Sequence, residues 1–119
     1  MEYAFKNLDI WQKGMVLVEE VYKISDNFPD KERFALSSQL RRATISVPLN
    51  IAEGSARRSR KEFGSFLRIA LGSLVEALTC LEISEKMGYV CVEDNDKIKK
   101  IVEEIYFKIL RLEKVLKSS

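Results

Sequence analysis

Residues 39–58, QLRRATISVPLNIAEGSARR, constrain the fold more than any other part of the chain. At 100° per residue the polar positions Arg42, Ser46, Asn50 and Glu53 share an arc of about 80°. Leu49 borders that arc, and Ala43, Thr44, Ile45, Val47, Pro48, Ile51 and Ala52 fill the remainder. A surface helix needs an apolar stripe of only roughly 100°. This helix must therefore be covered from several sides, which a chain of 119 residues can hardly do alone. Pro48 sits inside it without the N–H that would bond the Thr44 carbonyl, at a cost of roughly 3 kcal/mol. Either the helix kinks there, or it breaks and restarts with Ser46 as N-cap. The apolar arc keeps its phase through residue 52, which favours the kink, whether as a packing bend or as a hinge.

Four helical segments follow from period and stop signals. The first runs from about Leu8 to Asp26 with Ile10, Trp11, Val18, Val21 and Tyr22 inward, and Asn27-Phe28-Pro29-Asp30 ends it. The second starts near Asp30 or Lys31 and continues to about Ser55 on a stripe of Leu36, Leu40, Ala43, Val47 and Ile51, closed by Gly54 and Ser55. The third opens with the capping box Ser59-Arg60-Lys61-Glu62, in which the Ser hydroxyl accepts from the Glu62 N–H and the Glu reaches back. It runs to about Lys86 with Gly88 as its C′ residue. Phe63, Phe66, Leu67, Ala70, Leu74, Ala77, Leu78 and Leu81 point inward, and Ser65, Arg68, Gly72, Glu76 and Thr79 form a narrow polar arc. The fourth, from about Asn95 to Leu116, carries Ile98, Ile101, Ile105, Ile109, Leu112 and Leu116 opposite a wet side of Lys97, Lys99, Lys100, Glu103, Glu104, Lys108 and Arg111. Short connections between long helices predict an all-α, antiparallel up-and-down four-helix bundle, one domain over residues 1–119.

Composition narrows the function. Five Gly and two Pro are few breakers for a chain with 32% charged residues, as long amphipathic helices require. No apolar run reaches the ~20 residues that span a bilayer. The N-terminus, MEYAFKNLDIWQKG, is acidic and aromatic rather than a signal peptide, so a soluble cytoplasmic protein is expected. Cys80 falls in a helical apolar pattern and Cys91 in a loop, as a packed thiol and a bystander rather than a disulfide or metal pair. With no histidine in the chain, Glu-x-x-His two-metal sites and Ser-His-Asp or Cys-His catalysis have no basis. There is no Gly-Lys-Ser/Thr phosphate loop. A non-enzymatic protein without metal or cofactor is expected.

Two constellations remain. Arg42, Ser46, Asn50, Glu53 and Arg57 lie on one helix face, as a solvated stripe or as a hydrogen-bonded seam between helices or subunits, where Asn50 and Ser46 meet backbone groups freed by Pro48. The net charge of +2 hides a second feature. Residues 31–75 carry nine Lys/Arg against three Glu, whereas 1–30 carry three Lys against six acids and 76–119 carry eight cations against nine acids. Arg57, Arg58, Arg60 and Lys61, with Arg41, Arg42 and Arg68 nearby in sequence, could bind phosphates, which Arg matches bidentately. Exposed aromatics interleaved with these cations, which single strands would stack on, are not expected.

The same residues resemble a family signature. Leu8-Asp9-Ile10-Trp11-Gln12, Phe28-Pro29 followed by Glu32, Gln39-Leu40-Arg41-Arg42-Ala43, Ser46-Val47-Pro48, Asn50-Ile51-Ala52-Glu53-Gly54, Arg58, Phe66 to Ser73 with Glu76, and Gly88-Tyr89 occur in the order of the 23S rRNA intervening sequence proteins, also called the four helix bundle protein family. The resemblance covers nearly the whole chain; residues 93–119 are too generic to add to it. It implies an up-and-down bundle assembled as a ring-like homopentamer. A related protein, the accessory variability determinant of diversity-generating retroelements, binds nucleic acid and a reverse transcriptase through a basic pentamer surface. The expected function is thus a homopentameric accessory protein that binds RNA or DNA through Arg57, Arg58, Arg60 and Lys61, with Arg41, Arg42 and Arg68 as weaker contacts. Arg42, Ser46, Pro48, Asn50, Glu53 and Gly54 are expected to serve structure and assembly. The rival expectation is a scaffold for one protein partner.

Overall fold

The computed structural model describes residues 3–118. Among these, a 3-10 turn at Ala4–Asn7 precedes α1 (Asp9–Ser25), and a second 3-10 turn at Asp30–Glu32 precedes α2 (Leu36–Ser55). Then follow α3 (Arg60–Lys86) and α4 (Val92–Lys117). Each helix packs on its two neighbours, α1 on α2 and α4, α3 on α2 and α4, and the backbones of the diagonal pairs stay more than 8 Å apart, Cα to Cα, among the described residues. This is the antiparallel up-and-down four-helix bundle. No helix is long and apolar enough to cross a membrane among the described residues.

One hydrophobic cluster draws on all four helices, with Leu17, Val21, Leu40, Val47, Ile51, Leu67, Leu74, Leu81, Ile105 and Ile109 fully buried. Burying each such side chain is worth about 1.5–3 kcal/mol. The periodicity placed some columns one residue away. On α1 Leu17 joins the expected Ile10 and Val21 in the core, and Tyr22 lies outside under the Arg41 guanidinium, 4.4 Å from its carbon to the ring centroid. On α4 Val102 is buried and Ile101 only half-buried, because α3 and α1 flank the column from both sides.

The start of the second segment also differs. Ala35 takes φ −124° and ψ −104°, outside the helical region, so the chain makes a 3-10 turn at Asp30–Glu32 before α2 begins. Glu32 serves both sides of that break. One carboxylate oxygen accepts the Leu36 N–H at 3.4 Å, and the other accepts the Tyr89 hydroxyl at 2.8 Å. The Tyr89 ring lies 5.5 Å from Phe28. Phe28, Glu32 and Tyr89 thus bind the α1–α2 connection to the α3–α4 turn. Gly88 makes that turn possible with φ +78°, and the Tyr89 N–H to Ser84 carbonyl and Gly88 N–H to Glu85 carbonyl bonds complete a Schellman cap.

Pro48 does not break α2, and its ring lies where a Cβ on Gly14 would come within 3.3 Å. The close approach of α1 offsets the missing hydrogen bond with contact area. Gly54 lies within α2 and is buried, with helical rather than left-handed backbone; it is a close-approach residue, not the helix stop. A Cβ there would stand 2.7 Å from Phe66 Cβ and 2.9 Å from Phe63 Cδ1. The buried side of α2 runs from Ala43 round to Pro48, about 140°. α1 and α3 therefore cover more of the broad apolar arc than one chain was expected to manage, and Ile45 and Leu49 stay exposed at 39% and 54%.

α4 starts one turn earlier than its apolar period, at Val92 with Cys91 as N-cap, because Glu93 and Asp94 suit the positive end of a helix dipole. Asn95 is consequently inside the helix and buried, donating to the Leu81 carbonyl at 3.1 Å and to Glu85 at 2.8 Å. Lys99 joins the set, 2.5 Å from Glu82 and 3.5 Å from Glu85. The Asn95 amide, and secondly the Lys99 charge, hold the Glu85 carboxyl below its ordinary 4.5. A carboxyl depressed in the folded state contributes stability above its unfolded value and loses it as pH falls through the folded one. The melting temperature is therefore expected to fall once pH drops below about 4.5. Glu85→Gln should flatten that fall in thermal melts between pH 7 and pH 3.

Candidate nucleic-acid interface

The antiparallel arrangement puts the C-terminus of α2, the N-terminus of α3 and the C-terminus of α4 at one end of the bundle. Residues 56–59 form an exposed turn there. Arg57 and Arg58 leave it outward, and the Arg57 guanidinium lies 4.7 Å over the Phe66 ring. That stack holds one face of the cation, and the residue stays exposed. Ser59 caps α3 by accepting the Glu62 N–H at 3.0 Å, which fixes where Arg60 and Lys61 emerge. The reciprocal half of the expected capping box takes another form, with the Glu62 carboxylate accepting the Ser59 hydroxyl at 3.2 Å.

Arg60 reaches across to the last turn of α4, where its Nη1 lies 3.5 Å from the Val115 carbonyl. Two turns along α3, Arg68 grips Glu113 of α4 with two parallel contacts, Nε to Oε2 at 2.6 Å and Nη2 to Oε1 at 2.9 Å. The Glu113 side chain is only 8% exposed and the Arg68 side chain 61%, so the carboxylate is neutralised below while part of the guanidinium stays in solvent. Between them runs an open groove of about 490 Å³ lined by Arg60, Lys61, Gly64, Ser65, Arg68, Glu113, Leu116 and Lys117. Lys114 and Lys117 occupy the last turn of α4, and Arg111 lies exposed one turn before them. These three cations come from a region with a net acidic sequence. Only the antiparallel pairing of α3 and α4 brings them to the Arg57–Lys61 turn, across some fifty residues of chain, and no local motif announces it.

Arg41 and Arg42 do not belong to this end. They lie in the first half of α2, and Arg42 is about 22 Å of helix away from Arg57. Arg41 is also engaged, with Nε 2.8 Å from the Ser25 hydroxyl and Nη2 2.8 Å from Asp26. It ties α2 to the end of α1. Arg42 is exposed on the outer face of α2.

The five-residue stripe divides similarly. Ser46 and Asn50 form a seam between helices: Ser46 Oγ lies 2.8 Å from Ser73 Oγ of α3, and Asn50 Nδ2 donates to Ser46 Oγ at 2.9 Å. Asn50 also donates to the Ser46 carbonyl at 2.8 Å, and not to the Thr44 carbonyl that Pro48 deprives. Gln39 and Glu76 extend the same α2–α3 seam toward the other end. Arg42, Glu53 and Arg57 stay exposed. Beside the seam the outer faces of α2 and α3 carry Ile45, Leu49, Ile69 and Gly72, all exposed.

A family model described as 23S rRNA-intervening sequence protein matches residues 6–111. Among solved structures, the chain is similar to a protein of unknown function from the S23 ribosomal protein family of Bacteroides thetaiotaomicron VPI-5482. The TM-score is 0.82 at 24% identity, over 88% of this chain and 98% of that one, a likeness of fold. No curated protein matches the chain.

Proposed function

The chain belongs to the 23S rRNA-intervening sequence protein family, and we propose that it is a non-enzymatic, cytoplasmic accessory protein that binds nucleic acid through the basic end of its bundle. Arg57, Arg58, Arg60 and Lys61 contact phosphates, Lys114 and Lys117 extend the surface, and Arg68 contributes its exposed edge.

One observation carries this reading. α1 and α4 begin with acids, Asp9 and Glu93-Asp94, as the positive end of the helix dipole favours. α3 begins with Arg60 and Lys61 before its one acid, Glu62. Cations in a first turn work against the dipole by about 0.3–1 kcal/mol each. Folding alone would not collect them there, beside two more arginines and the cationic last turn of α4. A polyanion resting on this end would gain from the cations, and from the dipole only at the α3 N-terminus itself.

We propose further that the protein acts as a homo-oligomer, a pentamer by family resemblance. Ile45, Leu49 and Ile69 support this reading, since they flank the Ser46–Ser73 seam and a second copy would cover them. Assembly would repeat the basic end around a ring and multiply its field. In sedimentation the protein is expected to run as an oligomer at micromolar concentration. In titrations with a structured RNA and a DNA duplex, affinity should fall with salt at a log–log slope of about −3 or steeper, as four or more phosphate contacts require. A folded monomer would overturn the assembly, and absence of binding at low salt the interface. A protein-partner role is favoured by the apolar groove between α3 and α4, where Val75 and Phe107 are 51% and 59% exposed, and its binding would survive high salt.

A further inference from the structure

We infer that an aromatic turn at the basic end of the bundle stacks unpaired bases, so that single strands are bound in preference to a duplex; this rests on the phosphate-contacting reading above. Aromatic side chains were not expected near the arginine cluster, and the fold brings them there. The Tyr3 and Phe5 rings stack with centroids 5.6 Å apart and planes 24° from parallel. Phe5 in turn meets Trp11 edge-on at 5.2 Å. Tyr3 is 47% exposed, and the Lys6 ammonium lies 5.4 Å from its ring centroid.

The position of this turn follows from helix register. Gly14 of α1 lies against Pro48 of α2, and the helices are antiparallel. Seven residues back from Gly14 is Asn7, and seven on from Pro48 is Ser55, the last residue of α2. The Ala4–Asn7 turn contacts only α1 and α2, and Gln12 holds it down by donating to the Lys6 carbonyl at 2.7 Å. It therefore lies level with the last turn of α2, at the end of the bundle from which Arg57 and Arg58 emerge.

A braced, half-exposed aromatic pair with a cation at its edge, at the end of the bundle that carries the arginine turn, offers a π-face for a base whose phosphates reach those cations. Base–aromatic stacking needs an open base face, which a duplex covers with its neighbours and a single strand does not.

The test titrates the full chain with a 12-nucleotide oligouridylate, an oligothymidylate of equal length and a 12-base-pair RNA duplex. The readout is fluorescence of Trp11, the single tryptophan. At equal salt the single strands are expected to bind more tightly than the duplex and to quench Trp11. Tyr3→Ala should weaken single-strand binding about 5-fold or more with its salt slope intact, while Tyr3→Phe retains it. Tyr3-dependent binding of either strand supports the inference. Unchanged single-strand affinity in Tyr3→Ala, with binding abolished by Arg57→Glu and Arg58→Glu, would overturn the aromatic site and leave the phosphate contacts standing. Binding indifferent to the arginine reversals, or no binding, would overturn both.

Discussion

Gly54→Val is expected to destabilise the fold by about 3 kcal/mol and to lower the melting temperature by on the order of 10 °C. The first atom added would stand 2.7 Å from Phe66 Cβ, and 2.9 Å from Phe63 Cδ1. Phe66 Cβ is fixed to the α3 backbone and cannot rotate away, so α2 and α3 must separate. They are held together on the same side by the Ser46–Ser73 and Gln39–Glu76 bonds. Separation at Gly54 would loosen that seam or bend one helix around it. Gly72→Ala makes the control, because a Cβ there meets nothing within 4 Å and the position lies inside α3. It should stabilise the single chain by up to about 1 kcal/mol through helix propensity alone. Urea unfolding of both variants measures the contrast. A Gly54→Val protein as stable as the parent would mean the helices do not approach this closely.

Why Gly54 matters was not readable from its position in the sequence. A glycine near the end of an apolar period looks like a stop signal, and Gly88 is one, with the left-handed backbone that a Schellman cap needs. Gly54 has the same local look, but its role is set by Phe63 and Phe66 on the next helix. The same distinction separates the legible from the illegible elsewhere. Helix number, order and the passage of α2 through Pro48 follow from period and phase, which are local. Tyr22 and Arg41 each satisfied a local rule, one as an apolar periodic residue and one as a neighbour of Arg42. Their real environment is each other, together with Ser25 and Asp26 across the α1–α2 interface. The basic end was legible only in part, because the turn from Arg57 to Lys61 is contiguous in sequence while Lys114, Lys117 and the Tyr3–Phe5 pair join it through topology.

Reversing Arg57, Arg58, Arg60 and Lys61 to Glu is expected to lower nucleic-acid affinity by on the order of 100-fold or more at near-physiological salt, and to flatten the salt slope. Lost binding alone would not separate contact from collapse, so the stability readout matters equally. Lys61→Glu exchanges a cation for an acid in the first turn of α3, where the dipole favours acids. Its melting temperature should therefore match or exceed the parent's while its affinity falls. A site that resists the fold gives this opposite movement of stability and binding, and a surface charge kept for solubility does not. Arg41→Glu makes the converse case. Arg41 bridges Ser25, Asp26 and the Tyr22 ring, so its reversal should cost about 1–2 kcal/mol of stability and leave affinity unchanged. If a folded Arg41→Glu protein lost as much affinity as Lys61→Glu, the interface would run the length of α2 rather than lie at the end of the bundle.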